Sequence, residues 1–176
     1  MSDCCPAESD LARASAGGES VTKMYNTTGL IVAGPSKSTS SVLAIPDVLG
    51  VDSGRSNKDA EAIGKLGYAV MLVNSTDGEW LGMNAMSNAV AWTAKSAFPH
   101  IESKICDTIA FIEMEVDMTS ISSYGYCWKY WVGASLSGTA EPAIKGHINF
   151  HPSWRVDVAH SGQGGVETLA EWINCC

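Results

Sequence analysis

The residues best suited to covalent chemistry are Gly125-Tyr126-Cys127-Trp128. They lie where an apolar strand pattern is expected to give way to a helical one. A glycine two positions before a nucleophile permits the tight turn that lifts a thiol out of a sheet toward a helix N-terminus. That terminus lowers a thiol pKa and offers backbone N–H groups to a developing oxyanion. Such a cysteine could attack a carbonyl carbon. On spacing alone, Gly-x-Cys fits a buried core cysteine as well, since free cysteine packs as a small apolar residue.

Other reactive types are scattered. The six cysteines fall as Cys4-Cys5, Cys106, Cys127 and Cys175-Cys176. Zinc ligands are usually paired across two to four residues, so adjacent pairs argue against a metal, and none is expected. Cys106, in the apolar run Ile105 to Ile112, reads as a core residue. His100 follows Pro99 at an expected helix start and reads as a capping or surface residue. His147 reads as a solvent-facing strand residue, and His160, in a glycine-rich loop, as a surface one. Gly29 to Gly34 has the glycine spacing of a phosphate loop but lacks its lysine. Asn26-Thr27-Thr28 and Asn74-Ser75-Thr76 match a glycosylation acceptor pattern, which has no consequence without a secretory signal.

These residues need a scaffold, and the hydrophobic pattern supplies one. Tyr25 to Val32 has strand character and breaks at Gly34-Pro35. Ser41 to Ile45 is a short apolar run ended by Pro46, as a buried strand would be. Asn57 to Leu66 carries Ala60, Ile63 and Leu66 on one helical face, with Gly67 as terminator. Tyr68 to Val73 reads as a second buried strand. Strand, helix and strand joined by short loops predict a parallel sheet. Ile101 to Met114 reads as a helix, Ser120 to Tyr124 as a strand, and Gly125 to Trp128 as a turn. A further helix is expected near Tyr130 to Leu136, a strand over Ile144 to Phe150, and a short helix over Val166 to Ile173. The Trp80 to Trp92 stretch reads as loop with some helix.

Four segments in order carry a family resemblance. Val42-Leu43-Ala44-Ile45-Pro46-Asp47-Val48-Leu49-Gly50-Val51-Asp52-Ser53-Gly54-Arg55 resembles the dienelactone hydrolase family. So do Gly64-x-x-Gly67-Tyr68-Ala69-Val70 with Gly125-Tyr126-Cys127-Trp128, and Ile148-Asn149-Phe150-His151-Pro152-Ser153-Trp154. The order and spacing match from about residue 24 onward.

The resemblance implies an α/β-hydrolase fold: a three-layer α/β/α sandwich around a mostly parallel sheet. It implies a hydrolase that cleaves small carboxylic esters or lactones through a cysteine nucleophile and an acyl-enzyme, without a cofactor. Cys127 matches the nucleophile, and Asp47 the acidic residue that contacts it. The backbone N–H groups of Trp128 and Leu49 match the oxyanion donors. Arg55, His151 and Trp154 match positions at the substrate pocket, His151 being near the site and distinct from the triad histidine.

Two departures qualify the match. Lys129-Tyr130 stands where the family has glycines. The family's triad aspartate and histidine come later than His151-Pro152-Ser153, on further strands, whereas this chain ends at Cys176. Residues 23–176 therefore read as a partial domain, truncated with its C-terminal strands and helix missing, after a flexible tail over 1–22. A different class of function fits an incomplete triad: a catalytically inactive module that binds a small acid or a partner protein.

Composition narrows the partners. The chain has 176 residues, 45% of them hydrophobic, and a net charge of −8. That excludes wholesale disorder and disfavours duplex nucleic acid and anionic membranes as partners. With no secretory signal or membrane span, a cytoplasmic protein is expected. A monomer is expected, with exposed strand edges as the route to self-association.

Overall fold

The structure, a computed structural model, describes residues 20–47, 50–51, 54–79, 92, 96, 98–116, 120–126, 132 and 144–150. Six strands form one sheet: β1 (Val21–Tyr25), β2 (Thr28–Ala33), β3 (Ser40–Ile45), β4 (Ala69–Val73), β5 (Ser120–Tyr126) and β6 (Ile144–Phe150). Two long helices accompany them, α1 (Gly54–Lys65) between β3 and β4, and α2 (Phe98–Glu115) between β4 and β5. The strand order is β1-β2-β4-β3-β5-β6. Strands β4, β3, β5 and β6 run parallel, while β2 is antiparallel to both β1 and β4.

The β4 sequence, Ala69-Val70-Met71-Leu72-Val73, explains the layering. All five residues are buried, yet successive side chains of a strand point to opposite faces. Ala69, Met71 and Val73 pack with Leu30, Leu43, Ile45 and the α2 residues Ile101, Ile105 and Ile112. Val70 and Leu72 pack with Ile31, Ala33, Ala44 and the α1 residue Ala60. A strand buried on both faces must be apolar throughout, so it lacks the alternation of a half-exposed strand. The expected α/β/α layering is present across the described residues, with one helix on each face.

The single strand expected over Tyr25 to Val32 is instead a hairpin. Tyr25 pairs with Thr28, leaving Asn26-Thr27 as a two-residue turn. Asn26 adopts φ 50°, a left-handed conformation that asparagine tolerates better than most residues. Strand β1 begins at Val21, so residues 21 and 22 of the expected tail belong to the sheet. Residues 1–19 lie outside the described residues.

The hairpin is clamped to α2. Asn26 Nδ2 donates to Asp107 Oδ1 at 2.7 Å, and Thr28 Oγ1 donates to Asp107 Oδ2 at 2.8 Å. Thr28 is fully buried. Asp107→Ala would strand the Thr28 hydroxyl, and a buried hydroxyl without its partner costs about 1–3 kcal/mol. The expected result is a denaturation midpoint lowered by that amount with an unchanged m-value.

Cys106, expected in the core, is exposed on α2. It follows Ile105 by one residue, which is about 100° of helix rotation, and so leaves the buried stripe. His147, expected in solvent, is half-buried, with its Nδ1 2.6 Å from Ser123 Oγ. Strand β5 runs on to Tyr126, past the expected end at Tyr124. Gly125 pairs with both Ile45 and Asn149, so its backbone is held in the sheet and does not turn.

Candidate functional site

Parallel strands all end at the same edge of a sheet, and in open α/β sheets that carboxyl edge is where ligands bind. Here three adjacent strands end in register. Ile45 of β3 pairs with Gly125 of β5, which pairs with Asn149 of β6. The singled-out residues Asp47, Cys127 and His151 each stand two positions beyond this line in the sequence. Neighbouring strands lie about 4.8 Å apart.

Of these residues, Asp47 is described. It is half-buried, and its carbonyl accepts from Gly50 N–H at 3.2 Å. Gly50 has φ 80°, a left-handed value suited to glycine that closes the tight turn after β3. Arg55 belongs to the first turn of α1 through its backbone. Leu49, Cys127, Trp128, His151 and Trp154 lie outside the described residues, as do the expected helix over Val166 to Ile173 and all of Tyr130 to Leu136 except the buried, helical Val132. Strand β5 ends at Tyr126, directly before Cys127 in the sequence.

Among the described residues Cys106 is the cysteine available for comparison. Partial burial, then the charges of Glu102 and Asp107, push its thiol above the ordinary cysteine value. A raised pKa keeps the thiol protonated and makes it a poor nucleophile at neutral pH.

A cavity of about 500 Å³ opens at the same edge, one strand over, where the chain leaves β4. Its lining includes Ser75, Asp77 and Glu79 from the loop after Val73, Trp92, and His100 and Lys104 of α2. The Lys104 ammonium pairs with the Asp77 carboxylate. His100 is exposed, as expected for a residue in the first turn of α2. This cavity was not anticipated. The mixed polar stretch after Val73 reads as ordinary turn residues, and only the strand order shows that it borders the Asp47 edge.

Among the described residues no group of three or more His, Cys, Asp or Glu side chains could hold a metal ion. Nor is any helix there long and apolar enough to cross a membrane.

The strand order, the parallel core and the helices on both faces are those of the α/β-hydrolase fold. Solved structures of that class match the chain. Est1E from Butyrivibrio proteoclasticus superposes with a TM-score of 0.55 at 11% identity, over 83% of this chain and 56% of its own. A dienelactone hydrolase-like promiscuous phosphotriesterase from metagenomic libraries gives 0.54 at 16% identity, over 76% and 58% respectively. A candidate dienelactone hydrolase from Klebsiella pneumoniae gives 0.54 at 11% identity, over 84% and 75%. The chain therefore spans somewhat more than half the length of the first two. No protein-family model and no curated protein matches the sequence.

Proposed function

We propose that the chain is a cysteine-dependent hydrolase of small carboxylic esters or lactones. The observation that carries this is the shared register line. In an α/β-hydrolase fold, Asp47 follows β3 and Cys127 follows β5 in the sequence, and these two neighbouring parallel strands end in register.

In this mechanism the Cys127 thiolate attacks the carbonyl carbon, forming a C–S bond and a tetrahedral oxyanion. The N–H groups of Trp128 and Leu49 hold the negative oxygen. Collapse of the intermediate breaks the C–O bond to the leaving alkoxide, which takes up a proton. Water then attacks the thioester, releasing the acid and restoring the thiol. Asp47 orients the nucleophile. Arg55, His151 and Trp154 shape the pocket, Arg55 by attracting an anionic substituent on the substrate.

The two half-reactions are not equally served. Acylation needs an activated thiol and an oxyanion hole. Deacylation needs a general base for water, a role typically worth 10²–10⁴-fold. Of the chain's histidines, His100 is exposed on α2 and His147 is bonded to Ser123 in mid-strand. His151 matches a pocket position in the resembled family. p-Nitrophenolate needs no proton in order to leave, so with a nitrophenyl ester acylation outruns deacylation. Stopped-flow hydrolysis of p-nitrophenyl acetate should show a stoichiometric burst followed by slow turnover. A linear trace without a burst, at any enzyme concentration, would contradict the accumulation of an acyl-enzyme.

A further inference from the structure

On the α1 face of the sheet, Tyr124 and Tyr126 of β5 lie beside Phe150 of β6. Tyr126 and Phe150 stack with ring centroids 5.2 Å apart and planes inclined by 26°, and Tyr124 meets both rings edge-on. With Ile63 of α1 and Ile148 of β6 they line a groove of about 400 Å³. Its polar groups offer little to a ligand. The Tyr126 hydroxyl donates to Asp59 Oδ2, and the Tyr124 hydroxyl, which has no hydrogen-bond partner, is sealed from solvent. What stands open is apolar: Ile148 is 61% exposed and Phe150 46%.

The two faces of β5 and β6 differ in their cover. On the α2 face, Ile121, Val132 and Ile144 are buried in one cluster with Ile105 and Ile112. On the other face, α1 packs chiefly on β4 and β2 and leaves Ile148 and Phe150 open. Residues 151–176 follow Phe150 directly in the sequence, and they contain an apolar stripe. Val166, Leu169, Ala170 and Ile173 recur at the spacing of one helical face, with Glu167 and Glu171 on the opposite side. A helix this short is marginal in water by itself, so it needs a surface on which to bury that stripe.

We propose that residues 166–173 dock as an amphipathic helix in this groove and close the α1 face of β5 and β6. Phe150 lines the groove and also starts the tether. Residues 151–165 can span up to about 50 Å, far more than the width of the two strands. A tether of this kind holds its end at an effective concentration on the order of millimolar, so a modest apolar contact closes within one chain. A second copy is the poorer occupant, because each chain carries a net charge of −8 and two copies repel. The contact stands apart from the proposed chemistry at Cys127.

The test places photo-leucine, a diazirine analogue close to leucine in shape, at position 169 of the full chain. Irradiation should join that residue to Ile63, Tyr126 or Phe150 of the same chain, read by intact mass and peptide mapping. Ile148→Glu changes an exposed position of β6 and leaves the sheet folded. It sets a carboxylate beneath the docked stripe, where an unpaired charge is costly to bury. The yield of crosslinks to the groove should fall at least about tenfold, equivalent to about 1.4 kcal/mol. Capture of solvent alone, crosslinks to the α2 face, or crosslinks between two chains would overturn the proposal. So would an unchanged yield in Ile148→Glu.

Discussion

Gly34→Ala should lower stability by about 2–5 kcal/mol and reduce Tm by roughly 4–20 °C. Two separate effects add. Gly34 adopts φ 81° at the end of β2, and forcing an alanine into a left-handed conformation costs about 1–2 kcal/mol. The new Cβ would also lie 2.1 Å from the carbonyl oxygen of Tyr68 and 2.9 Å from Gly64 Cα. Both obstacles are backbone, so neither can swing aside, and overpacking of this kind costs about 1–3 kcal/mol. For a domain of 150–250 residues each kcal/mol is worth about 2–4 °C. The comparison is Gly29→Ala in the same strand, where the nearest heavy atoms would be 3.5 Å away. That substitution should stay within about 1 kcal/mol of the unaltered chain. If Gly34→Ala melted like Gly29→Ala, the close packing of β2 against the end of α1 would be wrong.

Cys127→Ala should abolish the esterase burst and reduce any steady-state hydrolysis by at least about 10³-fold. Removing the nucleophile eliminates the covalent route and leaves only what the oxyanion hole and binding can supply. Asp47→Asn should act differently. It leaves the thiol in place, so the burst persists with a smaller rate constant. Cys106→Ala supplies the internal control, because its exposed thiol on α2 is held protonated. Its burst should match that of the unaltered chain. A burst lost in Cys106→Ala and kept in Cys127→Ala would transfer the nucleophile to α2 and end the present assignment.

The parts of the fold most legible in the sequence were those under the strongest burial constraint. The runs Ser41 to Ile45 and Ala69 to Val73 must be apolar on both faces, and they appear as continuous apolar blocks. With Asn57 to Leu66 between them, the parallel β3-α1-β4 unit follows from pattern alone. Where the physics was local and weak, pattern reading failed. Asn26 starts a hairpin turn with one left-handed residue, inside a stretch whose β-propensity hides the break. Gly125 resembles a turn residue, yet cross-strand pairing on both sides keeps it extended. Cys106 shares an apolar run with Ile105, and only the helical rotation of one residue separates buried from exposed.

The site was legible in a different way. Gly-x-Cys and Asp47 could be named as candidates, but the register that sets Ile45 against Gly125 is revealed by no local pattern. Strand order is a long-range property set by packing of both sheet faces. The same is true of the ring contacts among Tyr124, Tyr126 and Phe150. Tyr124 and Tyr126 show the two-residue period of a strand, yet Phe150 joins them only because β6 pairs with β5. The orphaned Tyr124 hydroxyl has no sequence signature at all.

The central claim is that this chain forms an acyl-enzyme on Cys127. The direct measurement is intact-protein mass spectrometry during the p-nitrophenyl acetate burst, followed by peptide mapping. The expected result is one acetyl group per chain, located on Cys127 and lost slowly on standing. A folded chain that hydrolyses the ester without gaining an acetyl group, or gains it on another residue, would contradict the claim.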